Sequence, residues 1–238
     1  MNTTKPTPSI WPKSPQPLTD EETQILAEWR KYWHLELCNK IGVFDHYTEV
    51  FVRTLADRTK AGGRTLEIGP GLTGVGQLLN DVRTDALEVD PYFAGELAKA
   101  LPGCNMIVGD IQSATSGLPS DTFDRVVAFH VLEHLLDLPA AIAQIKRAMR
   151  DDAVFDVMLP CEGGTMYGVG RSVTTARYFK KKFNRSFAKF IAQDHVSSVA
   201  EVLAVLKAEF VAEMTVFYPT RIPSVDVNLC VGLRLRKG

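Results

Sequence analysis

The sequence lacks several features that would assign it to a special class of protein. It has no apolar run long enough to span a membrane and no apolar segment near its N-terminus typical of a signal peptide. Its four cysteines (Cys38, Cys104, Cys161 and Cys230) have neither C-x-x-C spacing nor nearby histidine pairs. Reduced, buried thiols are therefore expected, and a structural zinc site is not. Together these absences favour a cytoplasmic protein without a metal centre.

A strong charge of either sign is also missing. The 238 residues carry a formal net charge of -1, with 23% charged and 45% hydrophobic residues. This composition is ordinary for a globular protein, and it gives no overall electrostatic reason to expect a nucleic-acid or membrane partner. The length suits one α/β domain with additions.

The N-terminal part is predicted to form an arm and then a helical cap. Residues 1–17 carry five prolines, which favour a flexible extended arm. In residues 18–60, a helix is expected to begin at Thr19 or Asp20, because Thr19 and Glu22 have the spacing of a capping box. A second helix is expected from about Phe44 to Leu55. Two interpretations stay open for three aromatic and imidazole side chains of the cap: they pack against the protein, or they close over a ligand. These residues are Tyr32, His34 and Tyr47.

A glycine-rich turn organises the remainder, residues 61–238. The stretch TLEIGPGLTGVG, from Thr65 to Gly76, reads as a strand, a tight turn and a helix. Glycine permits positive φ and close approach of a ligand to the backbone. The Gly69-x-Gly71-x-x-Gly74 spacing also fits nicotinamide cofactors, but Glu67 inside the strand indicates a carboxylate that faces the ligand pocket.

Further short apolar runs alternate with helical patterns, and several of them end in polar residues. Asp90 and Pro91 end the second strand, about where an acid would accept hydrogen bonds from ribose hydroxyls. Asp110 and Ile111 follow the third strand. The fourth strand, Phe123 to Phe129, precedes His130, and the fifth, Val154 to Leu159, precedes Glu162. This alternation predicts a doubly wound α/β sheet.

In combination, these motifs resemble class I S-adenosylmethionine-dependent methyltransferases of the type-11 and type-23 kind. The resemblance rests on EIGPG at Glu67, VD at Val89, GDI at Gly109 and the block FDRVVAFHVLEHLLDLPAAIAQIKRAM from Phe123. It covers about residues 64–160 well. It implies a Rossmann-like sheet of seven strands whose last strand is antiparallel and lies beside the sixth. Residues 211–218 and 228–235 would be strands six and seven.

The resemblance also implies roles for individual residues, with S-adenosylmethionine as the cofactor. Glu67, Gly69, Pro70 and Gly71 would contact its methionine end. Asp90, followed by Pro91, would hold the ribose, and Asp110 would accept from the adenine amino group with Ile111 beside the ring. His130 would lie near the sulfonium, and Tyr32 of the cap is a further candidate contact. The family often has glycine at the place of Thr73, whereas here it is Gly74, so the end of the turn is expected to differ.

Three residues are candidate catalytic bases. A sulfonium already activates its methyl group, so the enzyme mainly aligns the acceptor. An alcohol, phenol or acidic carbon must also lose a proton, whereas an amine need only arrive unprotonated. His130 and His134 would share a helical face at i and i+4, and Glu162 follows strand five. His134 is equally compatible with a structural role in seating the next helix.

The segment 163–193 is predicted to be a helical insertion after strand five. Phe179, Phe183, Phe187 and Phe190 form one helical stripe among many lysines and arginines. Three readings stay open: a solvated basic face over packed phenylalanines, a lid that attracts a carboxylate or phosphate, and a helix on anionic lipid. Nucleic acid is not expected, because the chain has no RNA-binding module and no N/D-P-P-Y motif.

The favoured function is methyl transfer to a small-molecule acceptor, with an anionic acceptor as one form of this expectation. Three alternatives remain, and they are a lipid-directed methyltransferase, a non-catalytic cofactor-binding subunit and a nicotinamide-dependent oxidoreductase. Glu67 and the V-L-E-H block speak against the last of these.

Overall fold

A seven-stranded sheet forms the centre of the computed structural model, which describes residues 10–37, 49–51, 63–72, 83–114 and 116–238. Its strands are β1 (Arg64–Ile68), β2 (Arg83–Glu88), β3 (Asn105–Val108), β4 (Phe123–Phe129), β5 (Met149–Pro160), β6 (Phe210–Tyr218) and β7 (Cys230–Lys237). The order is β3-β2-β1-β4-β5-β7-β6, with β1 to β5 parallel and β7 antiparallel to both of its neighbours. The predicted doubly wound fold with an antiparallel last strand is confirmed.

The helices begin where the sequence supplies caps. They are α1 (Asp20–Tyr32), α2 (Pro91–Ala100), α3 (Leu138–Ala148), α4 (Thr165–Val173), α5 (Thr175–Phe183), α6 (Ala188–Asp194) and α7 (Val199–Glu209). A capping box of Thr19 and Glu22 starts α1, as predicted, and a π-helical turn (Trp33–Leu37) follows it. The second predicted helix, about Phe44 to Leu55, lies mostly outside the described residues, although residues 49–51 are helical.

The main core lies between the sheet and the apolar faces of α3 and α7. Along α3, Leu138, Ile142 and Ile145 are almost fully buried, and Leu206 of α7 is fully buried. These positions recur at helical spacing, so the pattern that predicted the helices also supplies their buried faces. This packing holds the carboxyl ends of the parallel strands along one edge of the sheet.

A buried ion cluster crosses three strands of the sheet. Asp156 of β5 is fully buried and accepts from Nε of Arg125 on β4 at 2.7 Å. Its carboxylate also accepts from Nε and a terminal nitrogen of Arg234 on β7, at 2.8 and 2.9 Å. Because an unpaired charge in such a position is very unfavourable, this cluster makes β4, β5 and β7 depend on one another.

The insertion after β5 forms three helices rather than one continuous stripe. Helix α5 ends at Asn184, which has a left-handed backbone (φ 54°), and Phe187 lies just before α6. The break does not separate the phenylalanines, because they gather around Trp29 of α1. Ring centroids lie 5.1 Å from Trp29 for Phe179 and 5.5 Å for Phe187. The phenylalanine stripe is therefore packed inside the protein.

Several cations of the insertion pair with acids of α1. Lys182 lies 2.9 Å from Glu28, Arg185 2.7 Å from Glu21 and Lys189 2.6 Å from Glu22, measured between nitrogen and oxygen. Exposed pairs of this kind contribute only about 0–1 kcal/mol each. They fix the register of α1 against α5 and α6, so these three helices form a single cap. Part of the basic stretch is thus neither free surface nor a lipid-facing helix.

Residues 10–17, which the proline content assigned to a flexible arm, lie along the domain. The Trp11 ring packs against the main core, and the N–H of Lys13 donates to the carbonyl of Leu136 at 2.6 Å. The Lys13 ammonium pairs with Glu201 of α7. A proline-rich segment can thus be extended and still be held by side chains. Within the described residues, none of the helices combines the length and apolar character required to cross a lipid bilayer.

Candidate active site

The turn after β1 requires glycine at two positions. Gly69 and Gly71 both have φ of 60°, a conformation that other residues seldom adopt. A Cβ on Gly69 would lie 2.8 Å from Val131, and one on Gly71 would lie 3.3 Å from His34. Pro70 lies between them, whereas Thr73 and Gly74 lie outside the described residues. The turn is therefore a cradle of bare backbone, bounded by one residue after β4 and one from the cap.

Glu88, at the end of β2, holds this turn. Its side chain is buried, and its Oε2 accepts from the N–H of Gly71 at 3.1 Å while its Oε1 accepts from the N–H of Asp90 at 2.9 Å. From the sequence, Asp90 was the acid expected at this position. The Asp90 carboxylate is engaged elsewhere, because it caps α2 by accepting from the N–H of Tyr92 at 2.8 Å. Pro91 is exposed at the first position of that helix.

Glu67 is a second buried carboxylate near the turn, with 5% of its surface exposed. It pairs in register with Ala86 of β2, and side chains alternate along a strand, so Glu67 lies on the same face of the sheet as Glu88. Two buried acids thus lie on one face of the sheet beside the glycine cradle. The sequence predicted such a position for Glu67 but not for Glu88.

The cap reaches the cradle through His34. Its ring lies against Gly71 and packs edge-on against Phe93 of α2, with centroids 4.9 Å apart. Burial lowers the pKa of His34 below its usual value. Tyr32 lies farther into the aromatic cluster, 5.8 Å from the Trp29 ring and beneath the Lys182 ammonium at 4.8 Å. Of the two residues, it is His34 that contacts the turn.

The residues after β3 are fixed by a glutamine. The side chain of Gln112 donates to the carboxylate of Asp110, and its backbone N–H donates to the same group at 2.9 Å. The side-chain oxygen of Gln112 (Oε1) accepts from the backbone N–H of Asp137 at 2.7 Å, which connects this loop to the start of α3. Ile111 is buried in the main core with 4% exposure. The loop therefore holds Asp110 in one orientation at the edge of the sheet.

His130 and His134 do not share a helical face, contrary to the prediction. His130 has a left-handed backbone (φ 56°), and its N–H donates to the carbonyl of Met158 at 2.9 Å. A single 3-10 turn (Leu132–His134) follows. The chain turns sharply between the two histidines because β4 must connect to α3 across the sheet edge. Glu133 is thereby directed inward, with its Oε1 3.7 Å from Nδ1 of His130.

A network of acids and histidines surrounds this turn. Nδ1 of His134 contacts the carbonyl oxygen of Asp194 at 2.6 Å, and Nδ1 of His195 contacts Oε2 of Glu162 at 3.0 Å. The two rings meet edge to face, with centroids 4.8 Å apart. Glu133, which precedes His134 in the chain, has only 2% of its surface exposed. His134 and Glu162 were predicted as site residues from the sequence, whereas Glu133 was not, although it is part of the V-L-E-H block.

Charges in the network hold its acids ionised. Burial alone would raise the pKa of Glu162, but its hydrogen bonds with His195 and Arg171 outweigh burial and lower that pKa. Burial also opposes ionisation of Glu133, whose pKa is nevertheless lowered by His130, His134 and His195. The pKa of His195 is raised, because Glu162 and Glu133 outweigh the effect of its burial. Glu162 is thus a fixed carboxylate rather than a proton acceptor tuned to neutral pH.

Comparison with known proteins assigns the chain to one family. A family model described as a methyltransferase domain, of type 23, matches residues 44–197. The chain belongs to this methyltransferase family. It is an S-adenosylmethionine-dependent methyltransferase. The acceptor of the methyl group does not follow from the family.

Individual relatives agree with this assignment. A probable S-adenosylmethionine-dependent methyltransferase of Mycolicibacterium smegmatis is 26% identical over 218 residues, which cover 91% of this chain and 79% of that protein. The N-methyltransferase NodS of Bradyrhizobium japonicum, solved with S-adenosyl-L-homocysteine, has a TM-score of 0.63 at 14% identity and covers 90% of this chain and 98% of its own. An S-adenosylmethionine-dependent methyltransferase of Mesorhizobium loti has a TM-score of 0.56 at 14% identity and covers 78% and 95%. At such identities, the two solved structures show likeness of fold alone.

Proposed function

We propose that this methyltransferase acts on a small-molecule acceptor bound between the glycine cradle and the helical cap. The observation that carries the proposal is the contact of His34 with Gly71, which supports a cap that covers the proposed cofactor turn. The cap continues into α5 and α6 through the aromatic cluster around Trp29. A site covered in this way suits a compact acceptor better than a long polymer.

The residues of the cradle fit S-adenosylmethionine. Bare backbone at Gly69 and Gly71 permits close approach of a ligand, and the buried Glu88 carboxylate retains acceptor capacity beyond the two N–H groups that it binds. We assign the ribose hydroxyls to Glu88 and the adenine amino group to Asp110. The methionine end is assigned to Glu67 and the turn itself. When bound, the cofactor supplies a methyl group already activated by its sulfonium.

The proposed roles of the other predicted contacts follow from their positions. Asp90 and Pro91 shape the start of α2 behind Glu88, and Ile111 supports the loop of Asp110 from the core. Tyr32 supports the cap rather than the cofactor. These assignments differ from the sequence-based ones for Asp90 and Tyr32, because the carboxylate of Asp90 caps α2 and the ring of Tyr32 packs on Trp29.

Among the three candidate bases, His130 is the one that we place beside the reacting atoms. The residue that follows it, Val131, lies against Gly69, so His130 is adjacent to the cofactor turn. Nδ1 of His134 is engaged by the Asp194 carbonyl, and Glu162 lies between Arg171 and His195. With an oxygen or carbon acceptor, His130 would receive the proton, whereas an amine acceptor would need no base.

A basic groove favours an anionic acceptor as a more specific form of this proposal. Its lining, between α5 and the residues before α6, includes Arg177, Lys180 and Arg185. The double substitution by glutamine of Lys180, which lines the groove, and of the adjacent Lys181 should raise the acceptor KM and leave kcat nearly unchanged, because it removes charge attraction and not chemistry. Lys146→Gln, on α3, is the matched control. An unchanged KM in the double variant would return these lysines to solvated surface.

Transfer of labelled methyl from S-adenosylmethionine into an extract of the source cells tests the proposal. The extract is then separated into polar small-molecule, lipid, protein and nucleic-acid pools. We expect label in the polar small-molecule pool. Label in the lipid pool would favour the lipid-directed alternative instead. If the protein binds the cofactor and labels no pool, the non-catalytic subunit becomes the better explanation.

A further inference from the structure

Three residues at the edge of the sheet lie close enough to share a metal ion. One ligand atom from each of Glu133, His134 and His195 lies within 4.8 Å of the other two. Two atoms bound to one ion at about 2.1 Å are at most about 4.2 Å apart, so small side-chain rotations would close the site. Glu133 and His134 are adjacent in sequence, and His195 follows α6 on the far side of the insertion.

The two histidines are already oriented as metal ligands usually are. A carbonyl oxygen can only accept, so Nδ1 of His134 carries a hydrogen and donates to Asp194. Nδ1 of His195 likewise donates to the carboxylate of Glu162. Metal-binding histidines commonly donate their other ring nitrogen to a carbonyl or a carboxylate in this way. In both rings, Nε2 is the nitrogen left to bind an ion.

Among the described residues, Glu133 is the acid of the network that forms no ion pair with a lysine or an arginine. Asp194 pairs with Arg30 at 2.6 Å, and Glu162 pairs with Arg171. In the described part of the chain, neither carboxyl oxygen of Glu133 has a hydrogen-bond partner. The distances from its Oε1 to imidazole nitrogens are 3.7 Å for His130 and 3.9 Å for His134, both longer than a hydrogen bond. A buried carboxylate in this position favours a cation.

We propose that Glu133, His134 and His195 bind one divalent transition-metal ion, through a carboxylate oxygen and the two Nε2 atoms. Two imidazoles and one carboxylate are a donor set found with zinc and with iron or manganese in catalytic sites. Magnesium and calcium prefer sites built of oxygen alone, so they should bind poorly. Three protein ligands leave coordination positions open on the ion.

Calorimetric titration of the untagged, EDTA-treated protein with Zn²⁺, Mn²⁺ and Mg²⁺ tests the site. We expect one equivalent of Zn²⁺ and of Mn²⁺ to bind, and Mg²⁺ to bind far more weakly. Glu133→Gln and His195→Gln should each abolish the binding of the one equivalent. Glu162→Gln changes no proposed ligand but replaces the carboxylate that His195 and Arg171 share, and should weaken binding by about 10- to 100-fold. Glu96→Gln, on the exposed face of α2, is the matched control and should bind like the unaltered protein.

The visible absorption of bound Co²⁺ provides a second readout that does not depend on methyl transfer. Its ligand-field bands should appear with one equivalent of Co²⁺ and be lost in His195→Gln. That variant also serves if Glu133→Gln fails to fold. No saturable binding of Zn²⁺ or Mn²⁺, or binding that survives in both Glu133→Gln and His195→Gln, would overturn the site.

The metal site is separable from the proposed function. S-adenosylmethionine binding is measured on the same preparation. A protein that binds the cofactor but no metal ion leaves the methyltransferase proposal intact, and Glu133 and its histidines are then a network of charges alone. A protein that binds the ion and labels no acceptor retains the metal site and counts against the small-molecule proposal.

Discussion

At the scale of single residues, the end of β2 shows how closely position decides role. Glu88 and Asp90 are two residues apart, and either could be the acid that a ribose requires. Glu88 is the last residue of the strand and points at the glycine turn, whereas Asp90 precedes a proline and caps α2. A proline at the first helical position usually follows a capping residue, and that signal was present in the sequence.

We expect Glu88→Gln to weaken S-adenosylmethionine binding and Asp90→Asn to leave it nearly unchanged. Hydrogen bonds to a charged group contribute about 1.5–3 kcal/mol, which corresponds to roughly 10- to 100-fold in Kd. Asparagine caps a helix about as well as aspartate, so the second change also preserves α2. Equilibrium titration of both variants with the cofactor measures the difference. Equal loss in the two variants would return the ribose contact to Asp90.

A second residue-scale prediction concerns His34 and pH. Burial lowers its pKa in the folded protein, so the neutral ring is the folded form. Its contribution to stability is therefore complete above the unfolded pKa of about 6.5 and is lost as the pH falls toward the folded pKa. Between pH 7.5 and 5.5, the melting temperature of the metal-free protein should fall more than that of His34→Gln.

The comparison with His34→Gln is needed because His195 acts in the opposite direction. Its raised pKa gives a contribution that is complete below about pH 6.5 and is lost as the pH rises through its folded pKa. The contribution of His195 is present in both the unaltered protein and His34→Gln, so it cancels when their changes in melting temperature are subtracted. If the melting temperature falls by the same amount in the two proteins, protonation of His34 does not determine the stability of the cap.

At the scale of elements, the cap depends on packing around one side chain. Trp29 is 3% exposed and contacts rings from both α5 and the residues before α6. The sequence predicted a single phenylalanine stripe because the helical spacing continues through residues 183–187. The left-handed Asn184 interrupts the helix there. The side chains still converge because α1 supplies a common partner, which no local pattern reveals.

Trp29→Ala should lower the free energy of unfolding by about 3–5 kcal/mol, as expected for loss of a large buried aromatic ring. Urea unfolding followed by circular dichroism measures it, and limited proteolysis should show faster cleavage within residues 184–187. Tyr178→Ala, at an exposed position of α5, is the control and should change stability little. A small effect of Trp29→Ala on both measurements would mean that the ion pairs hold the cap in place.

At the scale of the whole molecule, the strand order follows from the sequence better than the site does. Alternating apolar runs and helical patterns predicted β1 to β5, and the family resemblance supplied the place of β7. Local sequence patterns could not predict the site contacts between residues that are far apart in the chain. His134 and Asp194 meet across a separation of 60 residues, and the partner of Glu162 is His195. Spacing along the chain contains no information about such pairs.

The stability of the sheet should be highly sensitive to substitution of Asp156. Asp156→Asn removes the carboxylate charge that both Arg125 and Arg234 face, and so takes from two buried cations the acid that they share. Breaking a buried ion cluster from one side costs about 3–5 kcal/mol. Denaturant unfolding should show a loss of this size, whereas Asp151→Asn, at a fully exposed side chain at the start of β5, should show almost none. A loss below about 1 kcal/mol would mean that Asp156 is not essential to the sheet.

The place of β7 also has a consequence for the order of events during synthesis. β6 pairs only with β7 in the described sheet, and β7 separates it from β5. When β6 leaves the ribosome, it therefore has no neighbour until Cys230–Lys237 has followed. β1, β2 and β3, with the glycine turn, pair with one another and do not wait for β7. The part of the protein that is proposed to bind the cofactor can thus begin to fold before β7, the strand that joins β5 to β6, has been synthesised.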